Sequence, residues 1–166
     1  GGTREQSWRI ASRTECLRCH NPWAGNAIAF NYEQLNRSLG GGTRTVLDQF
    51  RELGLVSLPT NAPAPLPRLA NPYDNRQPVH DRARTWLHVN CSHCHRFGAG
   101  GSVATLLSYE LDPAGLRSLD VSPIRGGFGL VTPRVIASGA PESSVLLYRI
   151  SSEGQGHMPL IGARFV

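Results

Sequence analysis

The sequence predicts a mainly α-helical fold built from two small units that are joined by a proline-rich connector. Residues 1–58 form the first expected unit, residues 59–78 the connector and residues 79–166 the second unit. In each unit, a segment with helical spacing runs into a Cys-x-x-Cys-His motif, and six prolines fall within the connector. Proline fixes its own backbone and donates no amide hydrogen bond, so the connector is not expected to form a regular element.

Five stretches carry signals for helices, and one of them is the short segment of residues 32–35. The first covers residues 5–20, with Trp8 on its apolar side, and ends in the first motif. Residues 43–53 show the clearest pattern, because their apolar positions recur every three or four residues, as on one face of a helix. Residues 81–90 lead directly into the second motif. The last predicted helix begins at Pro141, since proline is favored in the first turn.

The charge of the chain argues against a nucleic-acid partner. The formal net charge is +5, from 17 basic and 12 acidic residues, and every basic residue is arginine. The arginines are scattered and do not form the basic runs that are typical of nucleic-acid-binding segments. The sequence also has no apolar run near the roughly 20 residues that a membrane-spanning helix needs. We therefore expect neither nucleic-acid binding nor a transmembrane segment.

The four cysteines of the chain all lie in the two motifs, which consist of Cys16, Cys19 and His20 and of Cys91, Cys94 and His95. Cys-x-x-Cys-His is the attachment signal for heme c, in which both thiols bond to the heme and the histidine ligates the iron. Two cysteine pairs could also bind one zinc ion through four thiolates, and one pair could be a redox-active dithiol. Neither alternative explains a histidine directly after both pairs. The sequence therefore predicts two covalently bound hemes.

The second axial ligand of the second heme is predicted to be Met158. It is the only methionine of the chain, it follows His95 by 63 residues, and Pro159 comes directly after it. A methionine in a core usually fills a gap, but this one stands in a polar, glycine-rich segment, where a ligand role is the better interpretation. His157 is the alternative ligand, and we expect it to lie beside the site or on the surface.

The second axial ligand of the first heme is less defined, because no other methionine and no free cysteine remain. We slightly prefer His88, which lies on the predicted helix that leads into the second motif. His80, His93 and Tyr32 are alternatives, and so is an open coordination site. Methionine–histidine ligation raises the potential of a heme. We therefore predict that the second heme has the higher potential and that electrons enter at the first heme.

Several stretches together resemble a known family. Residues 12–21, 34–37, 82–96, 139–150 and 157–159 are similar to the diheme cytochrome segments found at the C-terminus of large exported proteins, notably in planctomycetes. The resemblance implies two class I cytochrome c-like heme units and a periplasmic or otherwise extracytoplasmic location. By analogy, it also implies an attached or partner dehydrogenase module. The chain has fewer residues after Met158 than a complete unit of this class, which predicts a truncated second unit within a longer exported protein.

These expectations favor an electron-transfer domain with no catalytic residues of its own. Such a domain would carry single electrons from a dehydrogenase to an acceptor. The alternative is a diheme peroxidase-like enzyme or a gas sensor, and either of these requires an open coordination site at the first heme.

Overall fold

The regular secondary structure of the described residues is helical. The computed structural model describes residues 2–3, 5, 10–38 and 40–161. Five α-helices occur within these residues: α1 Arg13–Cys16, α2 Tyr32–Leu35, α3 Val46–Glu52, α4 Val79–Cys91 and α5 Val145–Ser151. Two short 3-10 turns cover Pro22–Ala24 and Pro141–Ser143. No β-strand occurs in the described ranges, which contain only isolated bridges such as Ser38–Thr45. The prediction of a mainly α fold is confirmed at this level.

The helix before the first motif is much shorter than predicted. Ser12 is its N-terminal cap: the Ser12 hydroxyl accepts a hydrogen bond from the Glu15 amide, and the Glu15 carboxylate accepts one from the Ser12 amide. This capping box fixes the start of α1 at Arg13. Residues 10–12 are therefore not helical, and the prediction of a helix over residues 5–20 was wrong there. Trp8 lies outside the described residues.

The other predicted helices form with shifted ends. Helix α3 begins only at Val46, because Thr45 and Asp48 make a capping box like that of α1. Helix α4 starts at Val79, directly after Pro78, and ends at the first cysteine of the second motif. The helix expected from Pro141 is interrupted, since Ser144 is extended and its hydroxyl accepts a hydrogen bond from the Ala137 amide.

Long loops account for most of the described chain. Residues 53–78 contain no helix or strand, and the Asn36 side chain fastens this segment by donating to the carbonyls of Leu66 and Pro67. Residues 106–111 contain no helix or strand, and residues 109–110 form a turn. The buried Arg84 guanidinium of α4 holds this loop, because it donates hydrogen bonds to three of the loop's carbonyls.

The apolar core is small for a chain of this length. Among the described residues, the buried apolar side chains are Leu35, Leu47, Leu107, Leu116, Ala137 and Val145. Many large apolar side chains remain exposed, and Phe97 is 85% and Phe30 72% accessible. Small domains with too little core are commonly stabilized by a metal, a disulfide or oligomerization. The four cysteines form no disulfide.

Candidate functional site

The two Cys-x-x-Cys-His motifs have the same backbone geometry. In the first, the His20 amide donates to the Cys16 carbonyl at 2.9 Å, and in the second the His95 amide donates to the Cys91 carbonyl at 2.9 Å. A second bond joins the two cysteines of each motif, from the later amide to the earlier carbonyl, at 3.1 Å in both. Each motif follows a helix that ends at its first cysteine. The two motifs, which share a sequence pattern, therefore also share a local backbone structure.

The His20 ring is held by the backbone of the following loop. Its Nδ1 lies 2.7 Å from the Asn26 carbonyl oxygen, a distance at which Nδ1–H donates a hydrogen bond. Gly25 and Asn26 both have positive φ angles, of 77° and 61°, and this left-handed turn returns the chain toward the histidine. With the proton on Nδ1, the lone pair of Nε2 is available to a metal. Cys16 and His20 are both exposed.

The His95 ring is more enclosed than that of His20. Burial lowers the pKa of His95, and the nearby Thr105 backbone partly opposes this shift. Nδ1 is nevertheless buried without a hydrogen bond of normal geometry. The Leu107 amide donates to the His95 carbonyl at 2.8 Å, which fastens the motif to the loop that follows it. A neutral imidazole is the form that binds a metal.

Three residues of the predicted second site line one cavity: Cys91, His95 and Met158. The cavity comprises about 800 Å³ of space, part of it open to solvent. Its other walls are mainly aliphatic and aromatic, and none of its lining residues is acidic. The Met158 amide donates to the Arg149 carbonyl at 2.8 Å, which ties the methionine segment to α5. The tertiary structure thus brings Met158 to the second motif across 63 residues of sequence.

Three arginines also line this cavity, at positions 117, 125 and 149. Arg149 is the most firmly placed, since its Nε donates to the Gly156 carbonyl at 2.8 Å and its guanidinium lies 5.3 Å from the center of the Phe128 ring. Burial lowers the pKa of Arg149. An apolar cavity with arginines and no carboxylate is suited to a flat, largely apolar ligand that carries acidic groups.

A second cavity, of about 1130 Å³, is lined by His88 and His93 together with Tyr32. None of its lining residues belongs to the Cys16–His20 motif. His88 is buried, burial lowers its pKa, and its Nδ1 accepts a hydrogen bond from the Tyr109 amide at 3.1 Å. In the neutral ring the proton is therefore on Nε2. A bond from Nε2 to iron would require this proton to move and the Tyr109 hydrogen bond to be lost.

Two further histidines named as candidates have local partners. His80 is exposed in the first turn of α4, and its Nδ1 lies 3.2 Å from the Asp81 carboxylate. It lines neither cavity. The Nδ1 of His157 lies 2.6 Å from the Ser152 carbonyl, which places this ring in a hydrogen bond at the end of α5 and not among the residues that line the Met158 cavity.

The two motifs contact each other directly. The Sγ atoms of Cys19 and Cys94 are 3.4 Å apart, and the ligating atoms of Cys19, His93 and Cys94 all lie within 4.8 Å of one another. Cys16 and Cys91 do not join this group, so the described structure does not gather the four thiols that a four-cysteine zinc site needs. Burial raises the pKa of the Cys91 thiol to about 11, and burial together with the Cys19 contact raises that of Cys94.

Sequence reasoning missed Asn21, which connects the motifs. Its buried Nδ2 donates to the carbonyls of Arg18 and Cys19 in the first motif, and to the His93 carbonyl in the second at 3.3 Å. Its position directly after His20 is a weak signal, because many residue types could stand there. The contact with His93 spans 72 residues of sequence and is visible only in three dimensions.

Comparisons with protein-family models, with curated proteins and with solved structures found no match to this chain. Among the described residues, no helix has both the length and the apolar character needed to cross a membrane. The expectation that the chain has no transmembrane segment is therefore consistent with its described structure.

Proposed function

We propose that the chain is a diheme c-type cytochrome domain that carries single electrons. The observation that carries this proposal is the cavity shared by Cys91, His95 and Met158, which combines apolar walls, three arginines and no acidic side chain. These features would suit one heme, since they supply two residue types that ligate heme iron, an apolar enclosure for the ring and cationic partners for its propionates. A second heme is attached through Cys16 and Cys19, with His20 as its ligand.

The residues of the second site have distinct roles in this proposal. Cys91 and Cys94 would hold the heme covalently, because each S–H bond can add across one heme vinyl group without an oxidant. His95 and Met158 would be the iron ligands, and the aliphatic walls of the cavity would exclude water from the ring. Arg149, fixed by its bond to the Gly156 carbonyl, pairs with a propionate. The bound heme supplies a one-electron redox center.

The first site is supported by the hydrogen bond from His20 to the Asn26 carbonyl, which orients the ring and leaves Nε2 for the iron. Its second axial ligand was expected to be His88. The Tyr109 hydrogen bond to His88 Nδ1 disfavors that role, and the exposed position of His80 beside Asp81 disfavors that alternative. His93 remains a candidate, since a ring nitrogen of His93 lies within 4.8 Å of the Cys19 sulfur.

The partner in this proposal is a redox protein or an attached dehydrogenase module, and the location is periplasmic or otherwise extracytoplasmic. The support is the resemblance to exported diheme segments and the chemistry of the site. Covalent heme attachment through free thiols suits a domain whose cysteines are not used in disulfides.

Heme content tests the proposal directly. The chain is produced in a host that attaches heme c, and its mass and pyridine hemochrome spectrum are measured. We expect two covalently bound hemes. The double variant Cys16→Ser/Cys19→Ser and the double variant Cys91→Ser/Cys94→Ser should each retain one. Tightly bound zinc in the absence of covalent heme would contradict the proposal.

The alternative, a peroxidase-like enzyme or gas sensor, is favored by the constraints on His80 and His88, because a first heme without a sixth ligand would be open. Carbon monoxide separates the two functions. A relay with both hemes six-coordinate predicts no change in the Soret band when carbon monoxide is added to the reduced protein. A shift that accounts for one heme would instead support the alternative.

A further inference from the structure

The contact between the two motifs would bring the attachment points of the two proposed hemes together. Cys19 and Cys94 are separated by 75 residues, yet their sulfur atoms are 3.4 Å apart. Each of these thiols is an attachment point in the proposed diheme function. Each sulfur would be bonded directly to a carbon of its own heme's side chain. The two attached edges would therefore meet at this sulfur–sulfur contact.

The contact is held by several independent interactions. Asn21 is only 7% exposed, and its Nδ2 donates to carbonyls on both motifs. The Cys94 thiol also lies 3.5 Å from the Arg18 carbonyl. Arg96, one residue after the second motif, donates to the Trp23 carbonyl at 2.8 Å. The two motifs are thus fastened to each other on more than one side.

The glycine-rich loop after the second motif lies against the first. A Cβ atom added to Gly100 would lie 3.0 Å from the Arg18 carbonyl oxygen, and one added to Gly98 would lie 2.2 Å from Nε1 of Trp23. Gly98 also has a positive φ of 76°. A side chain at Gly100 would press on the backbone of the first motif, and one at Gly98 on the Trp23 ring that follows it, so the close approach of this loop depends on glycine.

We propose that the hemes of this chain form a coupled pair joined at the Cys19–Cys94 contact, with Asn21 as the positioning residue that holds the contact. This inference rests on the proposed diheme function. In a coupled pair, the charge and the unpaired electron of one heme are sensed by the other, and an electron passes between them without leaving the domain. A ring nitrogen of His93 lies within 4.8 Å of both sulfur atoms.

The intact protein, with both hemes attached, provides the first test. Electron paramagnetic resonance spectra are recorded during stepwise reduction. We expect the signal of the heme that remains ferric to change line shape when the other heme becomes ferrous. The fully oxidized spectrum should also differ from the sum of the spectra of the two single-heme cysteine variants. A spectrum equal to that sum, with line shapes constant through the titration, would overturn the proposal.

The role of Asn21 is tested by Asn21→Ala, with Asn61→Ala as the matched control because Asn61 is an exposed residue far along the chain in the proline-rich segment. Asn21→Ala is expected to reduce the difference between the observed and summed spectra, and Asn61→Ala to leave it unchanged. An unchanged difference in Asn21→Ala with both hemes retained would refute the positioning role. If Asn21→Ala loses heme, the titration of the intact protein still decides whether the pair is coupled.

Heme attachment and the additivity of the spectra test two different proposals. A protein that attaches no heme gives no heme signal, which would contradict the diheme proposal itself. A protein with two attached hemes and additive spectra would keep the diheme function and lose only the coupled pair.

Discussion

Individual residues around the motifs differ in how firmly the backbone holds them. The His20 ring is oriented by one short hydrogen bond to the Asn26 carbonyl and remains exposed. His95 is enclosed by its own loop, and Met158 reaches the same cavity through a backbone bond to Arg149. The second site is therefore more completely built by protein atoms than the first. This difference is the reason that a defined axial pair is proposed for only one heme.

Replacement of the proposed methionine ligand gives a prediction at this scale. Met158→Ala is expected to lower the midpoint potential of the second heme by on the order of 0.1 V, within the range of about 0.8 V that axial ligands set. The variant should also bind carbon monoxide at that heme. Leu160→Ala, an exposed apolar neighbor, is the control. A potential equal to that of the unmodified protein would show that Met158 is not the ligand.

The N-terminal cap of α3 predicts that the stability of the fold depends on pH. The Thr45 backbone and hydroxyl donate to the Asp48 carboxylate, and these bonds hold the pKa of Asp48 below its usual value. The contribution is present at neutral pH and is lost as pH falls through the lowered pKa, because the unfolded state binds the proton first. Thermal unfolding between about pH 5 and pH 2 should show a smaller loss of stability in Asp48→Asn than in the unmodified protein. Glu142→Gln, an exposed carboxylate in the second 3-10 turn, should behave like the unmodified protein.

At the scale of elements, the ends of helices and the loops between them position the two motifs. Helices α1 and α4 both end at a cysteine, so each motif turn begins from a fixed helical backbone. The sequence predicted this arrangement from the spacing of apolar residues and the motifs. It did not predict that α1 has only four residues, because the capping box at Ser12 overrides the apolar pattern upstream of it. It also missed the three bonds from Arg84 that fix the loop after the second motif.

The glycine-rich loop gives a prediction at this scale. A Cβ atom at Gly101 would lie 2.7 Å from the Cys94 carbonyl oxygen, a backbone atom that cannot move without shifting the motif. Gly101→Ala is expected to destabilize the protein by about 1–3 kcal/mol through this overpacking. Gly42→Ala is the matched control, since a Cβ atom there meets nothing within 4 Å. Denaturant unfolding measures both variants, and equal midpoints would contradict the expected clash.

At the scale of the whole molecule, the fold has a small apolar core and places two motifs together. Six buried apolar side chains among the described residues give little hydrophobic stabilization for a chain of 166 residues. The apolar walls of the Met158 cavity are a surface that a heme would cover. Much of the stability of the assembled domain would then come from bound heme.

The order of the two heme potentials is the prediction for the molecule as a whole. Because methionine–histidine ligation raises a potential, the second heme is expected to be the more oxidizing center. Potentiometric titration of the two single-heme cysteine variants assigns each potential to its site. If the variant that retains the heme at Cys16 and Cys19 has the higher potential, the proposed direction of electron flow is wrong.

The sequence by itself located the two Cys-x-x-Cys-His motifs and predicted a helix before each of them. Cysteine and histidine spacing is a local property of the chain, so the two motifs and the helices that lead into them could be predicted without a structure. The proline-rich segment over residues 59–78, which lacks a regular element, follows from the same local chemistry.

Only the tertiary structure decided which distant residues meet. Met158 joins the cavity of Cys91 and His95, and the Cys19 and Cys94 sulfur atoms come into contact across 75 residues. The structure also gave the Nδ1 atom of His88, the favored first-heme ligand, a partner in the Tyr109 amide. The physical reason is that contacts between segments far apart in sequence depend on how loops close and pack. The spacing of residue types along the chain reports local structure, and it does not show which distant segments will pack together.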